Sequence, residues 1–256
     1  LNKALKWLTD NQKFCLNPYK VFNAFYTVPS IDCKNIYVRY EGRKEFALKN
    51  FTYSFDQPKI YCICGQSGAG KSTLFNLILG LIEPEQGVIN IKSSVSDDCL
   101  IGYVPQNLVL SYDTIAENIA YPQQECDLIK VRQSIKEVHL EHKIQSLKDE
   151  LNTKIGEDAV NVFSGGEKQR IFLARLVYHN FNIILFDEGT SALDVEQESL
   201  MFQFLTNTVK KRNVVVLMIA HRLSALSIAD EILLLSKGEL IASGSPESIK
   251  NDINFQ

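Results

Sequence analysis

Apolar positions follow two periods along this chain, and the switch between them divides it. Over residues 31–55 the stretches IYVRY and FTYSF alternate apolar and polar side chains, the period-two pattern that predicts paired, half-buried strands. At residues 60–64 the alternation gives way to a solid apolar run, IYCIC, then a glycine-rich segment and STLFNLILGLI, which predicts strand, loop and buried helix. From about residue 111 charge rises, and Leu128, Val131, Ile135, Val138, Ile144, Leu147 and Leu151 recur at helical spacing, so a mostly helical lobe is expected over about residues 111–168. Three more apolar runs follow, IILF, VVVLMIA and EILLLS, whose continuous character suits parallel strands covered on both faces. Ser245, Pro246 and Glu247 read as the N-cap, first-turn proline and first-turn acid of a last helix. Ahead of all this, residues 1–29 show a rough helical spacing at Leu1, Leu5 and Leu8 and run into Val28-Pro29-Ser30, so a helix or linker is expected there and the main domain over residues 30–256. The expected class is α/β, with a mostly parallel sheet, an antiparallel N-terminal β subdomain and an inserted helical lobe.

Composition narrows the function more than the fold. The 256 residues can bury a substantial core, and 45% hydrophobic with 22% charged residues is ordinary for a globular chain. A net charge of −3 without a long lysine or arginine run argues against a nucleic-acid partner. Cys15, Cys33, Cys62, Cys64, Cys99 and Cys126 form no paired CxxC blocks, so they read as buried or idle thiols of a reducing compartment. The longest apolar runs fall well short of the roughly 18 residues of a membrane span. No signal peptide is visible and the first residue is Leu1, as expected of an excised domain or a trimmed tag.

Chemistry concentrates in three places. Gly65, Gln66, Ser67, Gly68, Ala69, Gly70, Lys71, Ser72 and Thr73 spell GQSGAGKST, a GxxxxGK[ST] phosphate loop in the strand–loop–helix context that the motif requires. Its glycines let backbone N–H groups turn toward phosphate oxygens, Lys71 can reach the β and γ phosphates, and Ser72 can offer a hydroxyl to magnesium. A second glycine loop, NVFSGGEKQR, also precedes a helix-favouring run and would also suit an anion. Asp187 and Glu188 follow the strand IILF, where one acid can hold a metal and its neighbour can orient and deprotonate water. His139 and His142, three apart on one predicted helix face, have no acid or cysteine cluster beside them and read as surface residues.

The order of these motifs resembles the nucleotide-binding domain of an ABC transporter, a P-loop NTPase, over about residues 31–249. GQSGAGKST matches Walker A, VPQ ending in Gln106 the glutamine loop, FSGGEKQR the signature, IILFDE Walker B, SALD ending in Asp194 the following loop, and IAHR the switch histidine His221. The resemblance implies ATP and Mg²⁺ as ligands and Lys71, Gln106, Glu188 and His221 as catalytic residues, with Ser72, Asp187 and Gln106 toward the metal. It further implies that two such domains pair head to tail, so that Ser164, Gly165 and Gly166 meet the γ-phosphate held by the partner's Walker A, with Asp194 near the seam. The second loop would then serve the partner. Tyr40 is assigned to stacking on adenine, with Tyr37 the nearest rival.

Two departures from the family pattern stand out. The signature more often reads LSGGQ, and here Phe163 and Glu167 replace its ends; Glu167 suits a helix N-terminus but faces the partner's triphosphate, so tuned affinity is expected. Gly189 stands where alanine is usual after the catalytic acid. Thr153-Lys154-Ile155-Gly156-Glu157 and Thr114-Ile115-Ala116-Glu117-Asn118-Ile119 resemble the TxVGE and TIxxNI segments of exporters. The expectation is therefore the ATPase domain of a homodimeric or heterodimeric exporter on the cytoplasmic face of a membrane, coupled through its helical lobe to a transmembrane domain. An importer subunit or a non-transport ABC ATPase is the alternative.

Overall fold

The computed structural model describes residues 28–92, 101–111, 113–123, 125–155, 163–187, 195–220 and 222–252. The expected N-terminal helix therefore lies outside the described residues. An antiparallel three-stranded sheet comes first, in the order β2 (Leu48–Phe55), β1 (Ser30–Val38), β4 (Gln86–Lys92). A six-stranded sheet carries β5 (Ile101–Val104), β6 (Ile183–Asp187), β7 (Val215–Ile219), β3 (Ile60–Cys64), β8 (Glu231–Ser236) and β9 (Glu239–Gly244) in that spatial order. All its pairings are parallel except β8 with β9.

The solid apolar runs are explained by what lies on either face. Along β3, Tyr61 and Ile63 join a core shared with the three-stranded sheet and with helix α1 (Lys71–Ile78), whereas Cys62 and Cys64 join a second core on the other side. Strands β6 and β7 divide in the same way: Leu185 and Leu217 face the first core, and Phe186 and Met218 face the second. Because successive side chains point to opposite faces, a strand buried on both sides must be apolar at every position. Alternation survives only where one face is wet, as in the second half of β2, where Phe51, Tyr53 and Phe55 are buried or half-buried and Thr52 and Ser54 are exposed.

Between β5 and β6 run α2 (Ile115–Ala120), α3 (Leu128–Glu137), α4 (Glu141–Gln145), a 3₁₀ turn at Glu150–Asn152 and the 15-residue α5 (Gly165–His179). The helical spacing over residues 128–151 is thus real but broken. His139 adopts a positive φ of 56° between α3 and α4, so it does not share a helix face with His142, contrary to the spacing-based reading. Both histidines are exposed. Beyond β6 come α6 (Val195–Arg212), α7 (Leu223–Leu226) and α8 (Pro246–Asp252), the last preceded by Ser245, whose Oγ accepts from Ser248 N–H as the N-cap pattern foretold. Among the described cysteines Cys33, Cys62 and Cys64 are buried thiols and Cys126 is half-buried.

Candidate active site

The parallel order β5-β6-β7-β3 brings four strand ends to one edge of the sheet. Gln106 lies two residues past β5, Asp187 closes β6, and the glycine loop leaves β3. The chain after β7 leads to His221, and Glu188 follows Asp187; these two residues and Asp194 lie outside the described residues. Carboxyl ends of parallel strands are where such sheets bind ligands.

In the loop, Gly70 is the N-cap of α1 at φ 103°, and a Cβ there would come within 2.5 Å of the Ala47 carbonyl oxygen. Gly65 packs against β8 so closely that a Cβ would sit 2.2 Å from Leu235 O. Bare backbone is therefore required at both ends of the turn. The first turn of α1 carries no acid and no side-chain cap, so the N–H groups that a helix start leaves without intrahelical acceptors meet no built-in anion. Lys71, only 6% exposed, folds back and donates from Nζ to the carbonyls of Gly65 at 2.8 Å and Gln66 at 3.0 Å. Those bonds shape the loop around the ammonium. Gln66, Ser67, Gly68 and Ser72 are exposed on its outer side, while Ala69 and Thr73 are buried.

Tyr40 sits beside this loop, with its hydroxyl 3.2 Å from Thr73 Oγ1 and its ring still 41% exposed. Tyr37 instead packs edge-on against Phe46 with centroids 5.3 Å apart. On the neighbouring strands, Tyr103 Oη donates to Asp187 Oδ2 at 3.3 Å. Burial, and then the charge of Asp187, push the Tyr103 hydroxyl above its ordinary range, so it stays a neutral donor. Tyr103 was not expected from sequence. Its signal was positional, three residues before Gln106 on a strand adjacent to Walker B. A hydroxyl, a carboxylate and an amide oxygen are hard donors, so Ser72, Asp187 and Gln106 are the kind of set that would suit a magnesium ion.

The second glycine loop opens α5. Ser164 is the N-cap: its Oγ accepts from Glu167 N–H at 3.2 Å, and the Glu167 carboxylate accepts from Ser164 N–H at 2.8 Å, a reciprocal capping box. Ser164 and Gly165 are exposed, whereas a Cβ at Gly166 would run into the Gln197 side chain of α6. The S-x-x-E spacing was in the sequence and could have announced this cap. Phe163, which departs from the common signature, is a buried anchor of the second core at 3% exposure. Gly189 lies outside the described residues.

The two exporter-like segments meet. Thr114 bridges Lys154, Ile115 N–H donates to Thr153 O at 3.0 Å, and Ile155 N–H donates to Asp113 O at 2.8 Å. Asn118, fully buried, accepts from Ser111 N–H and Oγ and donates from Nδ2 to the carbonyls of Ser111, Asp113 and Thr114. Its own carbonyl accepts from Arg175 Nε of the signature helix at 2.9 Å. The Arg175 guanidinium lies over Phe172 and Tyr121, and burial lowers its pKa to about 10, which leaves it charged near neutrality. Asn118→Ala strips partners from several buried groups at once, so a loss of about 3 kcal/mol is expected in urea unfolding; a change within error would show that the loop is held by other contacts.

Residues 48–191 match the ABC transporter family pattern. The chain is 37% identical over 222 residues to an ATP-dependent lipid A-core flippase of Pasteurella multocida, covering 83% of this chain and 37% of that protein. It is 33% identical to an ATP-dependent permease of Candida albicans over 88% of this chain and 34% of the relative. It is 36% identical to a leukotoxin export ATP-binding protein of Aggregatibacter actinomycetemcomitans over 87% of this chain and 32% of the relative. The structure of a bacterial Atm1-family ABC exporter with ATP bound superposes with a TM-score of 0.79 at 29% identity, covering 99% of this chain and 45% of that one. The chain thus spans well under half the length of these curated relatives, which are named for a flippase, a permease and leukotoxin export. By fold and by sequence it is an ABC ATPase domain of the exporter type, and it belongs to the ABC transporter family.

Proposed function

We propose that this chain binds and hydrolyses ATP at composite sites formed head to tail with a second ATPase domain, and that their closing and opening drive an exporter's membrane domain. The observation that carries this reading is the pair of glycine loops on different elements, one leaving β3 toward a helix start with no acid or side-chain cap, and one opening α5 with Ser164 and Gly165 exposed. A partner supplies what each lacks. Residues 65–73 would hold the triphosphate, and Tyr40, exposed beside the loop, would stack on adenine. Magnesium, held by Ser72, Asp187 and Gln106, would neutralise charge on the β and γ phosphates. Glu188 would take the proton of the attacking water, Gln106 would place that water, and His221 would hold the γ-phosphate. Asp194 would lie near the seam.

The domain limits follow from the same reading: residues 1–29 as linker, residues 30–256 as the ATPase domain, and a helical lobe over about residues 111–168. The backbone bonds that join the Thr114 and Lys154 segments support reading this lobe as the surface that would meet a transmembrane domain at the cytoplasmic face of a membrane. No described helix is long and apolar enough to cross one. Relatives named for lipid A-core and for a leukotoxin share this ATPase domain, as expected if cargo is chosen in the membrane part. Pairing in ATP, followed by light scattering, tests the composite site. Ser164→Ala should weaken it roughly tenfold or more, the loss expected for a hydrogen bond to a charged group; unaltered pairing would remove the signature from the site.

A further inference from the structure

Glu167 places a negative charge in the first turn of the signature helix, where the reading above brings a partner's triphosphate. Its carboxylate is not aimed at random. Oε2 accepts from Ser164 N–H at 2.8 Å, and the same oxygen lies 3.7 Å from Lys143 Nζ, which projects from α4. The lysine also stands 5.6 Å above the ring of Phe163, the buried anchor just before Ser164. Lys143 and Glu167 side chains are 31% and 21% exposed, so solvent screens this contact only in part. At 3.7 Å the ammonium acts on the carboxylate through charge rather than through a hydrogen bond.

The consequences run in two directions. Glu167 fixes the helix start but takes up the Ser164 amide and opposes an incoming phosphate. Lys143 offsets that opposition and tethers the α3–α4 region of the helical lobe to the signature. We propose that Lys143 and Glu167 form a charge-compensating pair that sets how tightly the signature accepts the partner's triphosphate, with Lys143 a positioning residue of the composite site. This inference rests on the head-to-tail reading and makes a demand that reading does not: the effect of Lys143 must vanish when Glu167 loses its charge.

A double-mutant cycle measures this. The chain, its Lys143→Ala and Glu167→Gln variants and the double variant are compared for ATP-dependent pairing by sedimentation, all in a Glu188→Gln background so that ATP persists. Glutamine keeps the capping box, so the helix start survives. Lys143→Ala should weaken pairing roughly three- to tenfold, Glu167→Gln should tighten it, and Lys143→Ala should change nothing further once Glu167 is neutral. The weakening should also shrink in high salt. An equal Lys143 effect in both backgrounds, or none in either, overturns the pair. Absence of ATP-dependent pairing in every protein would instead strike at the head-to-tail reading, so the parent's own pairing separates the two failures.

Discussion

Lys71→Ala should lose ATP hydrolysis by at least about a hundredfold, the scale seen when a group stabilising developing charge is removed. The reason is visible before any nucleotide arrives. Lys71 is buried at the loop's base, and its ammonium's bonds to Gly65 O and Gln66 O hold the turn. Alanine removes a positive charge from the proposed phosphate loop and takes a donor from the Gly65 and Gln66 carbonyls. Both binding and turnover should suffer. Calorimetric titration with ATP separates the two effects, and a melting temperature measured without nucleotide checks that the fold persists. ATP binding retained with full affinity would show that the helix N-terminus and backbone suffice, and that Lys71 acts only on the chemistry.

The second large effect is expected at Glu188. Replacing it with glutamine keeps size and hydrogen bonding but removes the proposed base, so turnover should fall by about a hundredfold or more, in the range ascribed to general base catalysis. Binding should not fall with it. Asp187, the proposed metal-side carboxylate, keeps its bond from the Tyr103 hydroxyl on the adjacent strand, and the glycine loop is untouched. The signature is therefore a long-lived ATP-bound pair with little hydrolysis, read by phosphate release and by sedimentation in the same sample. Normal turnover in the Gln variant would move the role of base to another group.

How much of this was legible in the chain depends on how far apart the cooperating residues lie. Strand β3, the glycine loop and α1 are neighbours in sequence, and their geometry follows from local rules: an apolar run, glycines where backbone must approach backbone, and a helix-forming stretch. The signature cap is equally local, since Ser164 and Glu167 are one turn apart. Local readings failed where the chain's own spacing misled. Residues 128–151 carry one helical spacing, yet they form α3, α4 and a 3₁₀ turn, with His139 at positive φ between α3 and α4 and its neighbours Val138 and Leu140 both buried. Three edge strands were also silent: β5 is only four residues long, and β4 and β9 are exposed or half-buried at most positions, so they lack the continuous apolar runs that marked β3, β6 and β7.

The sequence by itself determined the family, the phosphate loop, the acids of Walker B and the exporter-like segments, because each is a contiguous run whose residue types the chemistry restricts. Only the tertiary structure decided which distant groups touch. It put Tyr103 on Asp187 across two strands, Tyr40 rather than Tyr37 beside the loop, Asn118 between residues 111–114 and Arg175, and Lys143 on Glu167. The physical reason is common to all four. A hydrogen bond or ion pair depends on distances of a few ångströms between groups separated along the chain, and those distances are fixed by sheet order and helix packing rather than by any pattern within one segment.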